Sequence, residues 1–174
     1  MNPLDQRDGP RDECGVFGVY APESDVARLA YFALYALQHR GQESAGIAAT
    51  DGRDLRVVRR MGLVGQVFAE PDLAALGGRA AMGHTRYSTT GSSRIENAQP
   101  MVVSDPQLGE LAIGHNGNCI NARDRRDQLE SEGITFTTSS DTEVVAKAIA
   151  AARGATWDER IVAALPTLKA RGRS

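Results

Sequence analysis

Hydrophobic and polar residues alternate along this chain in short blocks, most of which have the length of a β-strand. A polar stretch, residues 1–13, precedes an apolar run over 14–20 that predicts the first strand. Residues 24–38 carry apolar side chains at helical spacing, with Ser24 as the predicted cap. Further apolar segments of strand length, bounded by Gly, Asp or Pro, lie at 45–50, 55–59, 79–84, 101–104 and 111–115.

The last third of the chain changes to a helical pattern. Asn121 is the predicted cap of a polar helix that ends near Ser131, and residues 72–76 are predicted to form a short helix earlier in the chain. Two capping boxes are predicted, at Ser140 with Glu143 and at Thr156 with Glu159. Because the strands form one block with helices on either side, the pattern predicts an α+β layered domain rather than alternating βαβ units.

Composition narrows the class of protein. With 174 residues, 41% hydrophobic and 24% charged, the chain is predicted to be one globular domain. The net charge of −2 gives no reason to expect nucleic acid or an anionic membrane as partner. No apolar run approaches the roughly 20 residues that span a bilayer, and the polar N-terminus is not a secretory signal, so we expect a cytoplasmic protein. The two cysteines, Cys14 and Cys119, are too few for a disulfide framework or a four-thiolate metal site, so no metal is expected.

Cys14 opens the first strand directly behind the polar leader. If the leader were removed, Cys14 would carry a thiol and a free α-amine on one carbon. The α-amine is a near-neutral base, so the pair matches the arrangement of hydrolases that use an N-terminal residue as nucleophile. The alternative is a buried structural thiol at the start of a strand.

Two polar segments can contribute binding groups. In the segment 38–46, Arg40 can brace a neighbouring loop, while the alternative is a helix C-cap at Gly41 followed by a polar turn. In the segment 83–93, Arg86 can grip a carboxylate through two parallel N–H donors, and Thr89 can add a hydroxyl. A surface arginine in a solvated loop and a phosphate site are the alternatives there. His84 is either a satisfied core histidine or a catalyst.

Two later segments complete the candidate set. Asn116 and Gly117 are typical of a hairpin turn, but their amides also suit an oxyanion hole. In the segment 138–143, Asp141 either takes part in helix capping or receives a substrate ammonium group. A nucleophile, a carboxylate clamp, an ammonium partner and an oxyanion hole together fit a free α-amino acid with a reactive side-chain carbonyl.

These motifs, in this order, resemble the class II (N-terminal-nucleophile) glutamine amidotransferases. The resemblance covers roughly residues 14 to 169. The sequences of the segments 37–46 and 94–101 are most similar to those of the members that start de novo purine synthesis. The matching motifs are Cys-Gly-Val-Phe-Gly at 14–18, His-Arg-Gly-Gln-Glu-Ser-Ala-Gly at 39–46, Gly-His-Thr-Arg-Tyr-Ser-Thr at 83–89, His-Asn-Gly-Asn at 115–118 and Ser-Ser-Asp-Thr-Glu at 139–143.

The resemblance implies a four-layer αββα sandwich of the N-terminal-nucleophile hydrolase type. It also implies that glutamine is hydrolysed to glutamate and ammonia through a γ-glutamyl thioester. The roles it assigns are nucleophile and α-amine base for Cys14, oxyanion donors for Asn116 and Gly117, α-carboxylate ligands for Arg86 and Thr89, α-ammonium partner for Asp141, and structural support for Arg40.

In such family members a second domain receives the ammonia and displaces pyrophosphate from phosphoribosyl pyrophosphate, which forms 5-phosphoribosylamine. The resemblance implies Mg²⁺, and in some members an iron–sulfur cluster, only for that other part. It implies glutamine as the small-molecule substrate, homo-oligomers for the full-length members, and neither nucleic acid nor a membrane as partner.

The sequence departs from the family at its two ends. Residues 1–13 are predicted to be a propeptide, as in members made as precursors, and residues 14–174 the glutaminase domain. After Leu168 and Lys169 the sequence diverges from the family pattern and becomes a basic tail. We therefore expect a truncated domain that lacks its last strands and the phosphoribosyltransferase domain. The alternatives are an inactive remnant or non-catalytic glutamine-binding fragment, and the glutaminase domain of another class II amidotransferase.

Overall fold

The computed structural model describes residues 14–87 and 94–169. All the strands predicted from the apolar segments are present, with ends shifted by up to two residues, and the short helix α2 was not predicted. In chain order the elements are β1 (Gly15–Tyr20), α1 (Val26–Leu37), β2 (Ser44–Thr50), β3 (Leu55–Met61), α2 (Val64–Val67), α3 (Glu70–Ala75), β4 (Ala80–Arg86), β5 (Met101–Asp105), β6 (Gly109–Ile113), α4 (Ala122–Ser131), α5 (Asp141–Ala151) and α6 (Trp157–Ala164).

The strands form two antiparallel sheets. The larger sheet has the order β1-β4-β2-β3, and the smaller one is the β5-β6 pair. Strand β4 pairs with both of its neighbours, so that His84 lies opposite Val16 on one side and opposite Gly46 on the other. This register brings the N-terminal end of β1 beside the C-terminal end of β4.

Glycines mark where the layers approach each other most closely. A Cβ at Gly83 would lie 2.7 Å from Leu34 of α1, so the helix packs directly on one face of the larger sheet. On the other face, a Cβ at Gly114, just after β6, would lie 2.7 Å from the side chain of Met82. Helix α5 packs on β5, and α4 and α6 pack on α5. The order helix, sheet, sheet, helix is the predicted αββα arrangement.

Two apolar clusters hold these layers together. The first lies between α1 and the larger sheet, and its fully buried members include Leu34, Ile47, Val64 and Leu76. The second is smaller and joins α4 to α5 through Leu129, Val144 and Ala148. No helix in the two described ranges is both long and apolar enough to cross a membrane.

The helices begin close to the N-cap residues predicted from the sequence, but the predicted side chains do not always make the capping hydrogen bond. The predicted Ser24 cap of α1 is wrong, because the adjacent Asp25 accepts the hydrogen bond from Arg28 N at 3.0 Å. Asn121 stands at the N-cap of α4 without capping it. Its side chain instead donates to Thr167 O and accepts from Lys169 N, which ties the start of α4 to the segment after α6.

The two predicted capping boxes form only in half. Ser140 caps α5 by accepting from Thr142 N at 3.2 Å, and Thr156 caps α6 by accepting from Glu159 N at 3.2 Å. The return bonds differ, because Glu143 accepts from the backbone of residues 137 and 138, and Glu159 from that of residue 155. Each glutamate therefore fastens the segment before its helix rather than the N-cap residue.

Candidate active site

Cys14 lies at the mouth of a pocket at the open end of the larger sheet. It directly precedes β1, its side chain is half-buried, and its thiol contacts the carbonyl oxygen of Tyr87 at 3.8 Å. Burial raises the pKa of the Cys14 thiol, and the positive charge of Arg86 opposes that effect only partly. The thiol is therefore protonated at neutral pH, and it needs a base to become a nucleophile.

The pocket has a volume of about 210 Å³ and collects residues from distant parts of the chain. Four of the residues predicted from the sequence line it, namely Cys14, Arg86, Gly117 and Asp141. They come from the residue before β1, the end of β4, the segment after β6, and the first turn of α5. The fold thus brings the predicted nucleophile, both predicted charged ligands and one predicted oxyanion donor around a single cavity.

Arg86 is the last residue of β4, and it is held by an ion pair. Its guanidinium donates to Glu43 Oε1 at 2.5 Å, and the Glu43 N–H donates to Arg86 O at 3.0 Å. Only 6% of Arg86 is exposed, which excludes the surface-arginine interpretation. A guanidinium carries five N–H donors, so an ion pair with one carboxylate is compatible with binding a second.

The segment before β2 approaches β4 so closely that it requires a glycine. A Cβ at Gly41 would lie 2.7 Å from the backbone of Thr85, and Gly41 has φ −152°, which is extended. Gly41 is the C-cap residue of the 3-10 turn Gln38–Arg40, since its N–H donates to Gln38 O at 3.1 Å, but close approach to β4 and not a left-handed conformation selects the glycine. Arg40 precedes it in a short 3-10 turn, Gln38–Arg40, and is not among the residues lining the pocket.

Asp141 opens α5 with its carboxylate in the pocket. Its Oδ2 accepts from the backbone N–H of Cys119 at 2.9 Å and lies 3.9 Å from Nδ1 of His115. Ser140, not Asp141, is the N-cap residue of the helix. The carboxylate is therefore not engaged in capping the helix, and it lines the pocket.

Asn116 and Gly117 do not form a hairpin turn, since β6 ends at Ile113 and the chain continues irregularly to α4. The Asn116 side-chain amide donates to the carbonyl oxygen of Cys14 at 2.7 Å, which joins this segment to the predicted nucleophile. A Cβ at Gly117 would lie 2.8 Å from Nε2 of His115, so the imidazole ring covers that position.

His84 is a buried, neutral histidine and not a pocket residue. It is fully buried, and the cost of burying charge lowers its pKa to about 4. Its Nε2 lies 3.2 Å from the carbonyl oxygen of His115, which can only accept, so Nε2 carries the proton. The interpretation of His84 as a core histidine is confirmed, but only its Nε2 is satisfied, because its Nδ1 has no hydrogen-bond partner among the described residues.

Thr89 lies outside the described residues, so its predicted contact with a substrate carboxylate stays a prediction. Two residues without an assigned role turn out to support the site, Glu43 against Arg86 and Gln99 against His115. The first pairing follows from the register, because Ser44, the neighbour of Glu43, lies opposite Arg86. Predicting it required the strand pairing.

The family model of the glutamine amidotransferase domain matches residues 72–163, more than half of the chain. The chain therefore belongs to this family of glutamine amidotransferase domains. Within it, the chain is 52% identical over 156 residues, 88% of its length, to the amidophosphoribosyltransferase of Synechococcus elongatus. It is 44% identical over 175 residues, 97% of its length, to the amidophosphoribosyltransferase of Mycobacterium tuberculosis.

Solved structures agree with the fold. One described as the structure of the allosteric regulatory enzyme of purine biosynthesis superposes with a TM-score of 0.83 at 42% identity over 89% of this chain. Glutamine phosphoribosylpyrophosphate amidotransferase from Bacillus subtilis, complexed with ADP and GMP, gives 0.81 at 42% identity. The predicted α+β sandwich is thereby confirmed. The chain spans about a third of the length of these relatives, 31% of the Synechococcus protein and 33% of either structure.

The residues that the structure describes do not fit the metal groups that the family implies. Within the described parts of the chain, no three His, Cys, Asp or Glu side chains lie close enough together to hold a metal ion. Two cysteines in the sequence cannot supply the four thiolates of an iron–sulfur cluster. No step at this site is therefore assigned to Mg²⁺ or to a cluster.

Proposed function

We propose that this chain is the glutaminase part of an amidophosphoribosyltransferase. The observation that carries the proposal is the single pocket lined by Cys14, Arg86, Gly117 and Asp141. Its groups match the charges of a free amino acid and add a nucleophile beside them. Relatives at 44–54% identity named amidophosphoribosyltransferase support the same assignment.

In this proposal, glutamine is held by its two charged ends. Arg86, with Thr89 beside it in sequence, receives the α-carboxylate, and Asp141 receives the α-ammonium group. Glu43 keeps the Arg86 guanidinium in place, and the N–H of Cys119 does the same for the Asp141 carboxylate. The side-chain amide of glutamine then points toward the Cys14 thiol.

The reaction begins with attack of the Cys14 sulfur on the amide carbon while the α-amine of Cys14 takes the thiol proton. The Asn116 side-chain amide and the Gly117 N–H stabilise the resulting oxyanion. The protonated α-amine of Cys14 then gives that proton to the amide nitrogen, which leaves as ammonia when the carbon–nitrogen bond breaks, and a γ-glutamyl thioester remains. A water molecule then attacks the thioester, and release of glutamate restores the thiol.

This mechanism requires a free α-amine at Cys14. A peptide nitrogen is not a base, and the raised pKa of the buried thiol means that it does not ionise unaided. We therefore propose that residues 1–13 are a propeptide, and that cleavage of the bond between Glu13 and Cys14 produces the active form. Arg40 is proposed to support the loop beside the nucleophile.

The ammonia is proposed to react with phosphoribosyl pyrophosphate, with Mg²⁺, on the part of such enzymes that this chain does not span. An iron–sulfur cluster, where one occurs, and homo-oligomer formation belong to the same proposal. A free nucleophilic thiol is best preserved in a reducing compartment, which supports the cytoplasm as the location. Size-exclusion chromatography with light scattering tests the oligomeric state.

Glutamate release from glutamine tests the glutaminase assignment. The chain beginning at Cys14 should release glutamate, and its Cys14→Ser variant should lose at least about a thousandfold in kcat. Cys119→Ser is the matched control and should keep the parent rate, because a hydroxyl can still donate to Asn121 as the Cys119 thiol does. Equal rates for the Cys14→Ser variant and the parent would contradict the assignment.

Two mass measurements separate maturation from catalysis. Intact mass of the expressed Met1–Ser174 chain should show loss of residues 1–13. A chloroketone analogue of glutamine should add to Cys14 alone, located by peptide mapping. A chain that keeps its leader and yet hydrolyses glutamine at the rate of the shortened form would exclude the α-amine as the base.

A further inference from the structure

The carboxamide of Gln99 holds both polar groups of the His115 backbone. Its Oε1 accepts from His115 N at 2.7 Å, and its Nε2 donates to His115 O at 3.3 Å. Only 4% of Gln99 is exposed, so water does not compete freely for these bonds. His115 directly precedes the proposed oxyanion donors Asn116 and Gly117.

The same carbonyl of His115 accepts a second donor. Nε2–H of His84 reaches it at 3.2 Å, and His84 is a fully buried residue of the central strand β4. The His115 carbonyl oxygen thus accepts from both Gln99 and His84, and the His115 N–H donates to Gln99. Side chains from two different parts of the chain therefore fix the orientation of the His115 backbone.

The backbone of Gln99 is itself fastened to the larger sheet. Arg59 Nη1 donates to Ala98 O at 2.9 Å and to Pro100 O at 3.2 Å, on either side of Gln99. A Cβ at Gly46 would lie 2.1 Å from Gln99 O, so the Gln99 backbone rests directly on β2. Gln99 therefore connects a rigid strand to an irregular segment that contacts Cys14 through Asn116.

We propose that Gln99 is a positioning residue for the oxyanion hole. It acts through His115, by holding the 115–117 segment at a fixed distance from the sheet and hence from Cys14. This inference rests on the proposed glutaminase function for its catalytic consequence. Its structural part, the clamp on His115, is measurable without any activity.

Amide hydrogen exchange tests the clamp on the full chain. In Gln99→Ala, exchange of the peptide covering 114–118 should rise at least about tenfold. The reason is that the His115 N–H loses its acceptor and the His115 carbonyl oxygen loses one of its two donors. Exchange over β2, Ser44–Thr50, should stay at the parent level. Gln66→Ala, on the exposed face of α2, is the matched control and should leave 114–118 unchanged.

Kinetics test the consequence for catalysis. Gln99→Ala should lower kcat for glutamine hydrolysis about tenfold to a hundredfold and change KM less than about twofold. The reason is that the Gln99 carboxamide binds the His115 backbone, whereas the proposed substrate ligands Arg86 and Asp141 are held by Glu43 and by the Cys119 N–H. If the variant merely contained less folded protein, the titrated number of active sites would fall, and kcat per active site would stay at the parent value.

Gln99→Glu gives a side chain of nearly the same shape that can donate a hydrogen bond only when its carboxyl group is protonated. An ionised carboxylate at this position repels the His115 carbonyl, whereas a protonated one can donate to it and still accept from the N–H. Burial raises the pKa of such a carboxyl. Protection of 114–118 relative to the parent should therefore recover as the pH falls from about 7 to about 5.

Three results would overturn the inference. They are unchanged protection of 114–118 in Gln99→Ala, an equal rise in exchange over β2, and a raised KM with kcat retained. If the parent chain does not hydrolyse glutamine, the proposed function fails, while the exchange experiment still decides whether Gln99 fixes the 115–117 segment.

Discussion

Between about pH 6.5 and pH 4, acid should destabilise this protein through His84. The residue is fully buried on β4, it donates to His115 O, and its pKa is lowered to about 4 from the ordinary 6.5. The unfolded chain takes up a proton near pH 6.5, but the folded chain resists it until about pH 4. Between these values the unfolded state binds more protons, so stability is present above pH 6.5 and is lost as the pH falls.

The size of the effect follows from the lowered pKa. A tenfold change in a protonation equilibrium corresponds to about 1.4 kcal/mol, so a pKa lowered from 6.5 to about 4 corresponds to about 3 kcal/mol lost by pH 4. Whole domains have stabilities of about 5–15 kcal/mol, so this one group accounts for a substantial share. Carboxylates such as Asp72, with a pKa of about 2, contribute below that window.

Urea unfolding at pH 7 and pH 4 measures the loss. The parent should lose about 3 kcal/mol more than His84→Gln, whose amide keeps a donor for His115 O but cannot be protonated. His39→Gln changes a histidine on the surface after α1 and serves as the control, which should follow the parent curve. An equal loss in the parent and in His84→Gln would refute the reasoning.

Three further substitutions test the site and its support. Glu43→Gln removes the charge paired with Arg86 and should lower the free energy of unfolding by about 3 kcal/mol, measured by urea denaturation. Asp141→Asn keeps an acceptor but loses the charge proposed for the substrate ammonium, so KM for glutamine should rise about tenfold or more with little change in thermal stability; an unchanged KM would contradict that role. Gly41→Ala places a Cβ 2.7 Å from the β4 backbone and should cost about 1–3 kcal/mol, whereas Gly18→Ala, with open space around it, should cost little; equal melting temperatures would refute the close-approach argument.

The larger part of the fold could be predicted because strands here coincide with short apolar segments between Gly, Asp and Pro. The central strand β4 was expected over 79–84 and runs Ala80–Arg86. Its last two residues are polar or charged, so hydropathy alone ended the strand too early. Helix α2 has only four residues, Val64–Val67, too few for a helical period to be recognised.

The candidate site could be predicted as a set of motifs but not as a set of contacts. Cys14, Arg86, Gly117 and Asp141 were selected from their local sequence, and the pocket brings them together. The partners that hold them act across the sheet. Glu43 meets Arg86 through the β2–β4 register, and Gln99 meets His115 across a loop, so neither pairing leaves a local signal.

Successive side chains of strand β4 point to opposite faces of the sheet, and this alternation makes the pocket depend on correct strand pairing. Gly83 faces α1, while His84 and Arg86, one and three residues on, serve the other side of the sheet. A pairing error of one residue would keep the strand content and the amide hydrogen bonds, yet it would press an imidazole into Leu34 and remove the Arg86 guanidinium from the pocket. Specific activity per folded molecule is therefore a sensitive gauge of correct pairing in refolded samples, where circular dichroism sees no difference.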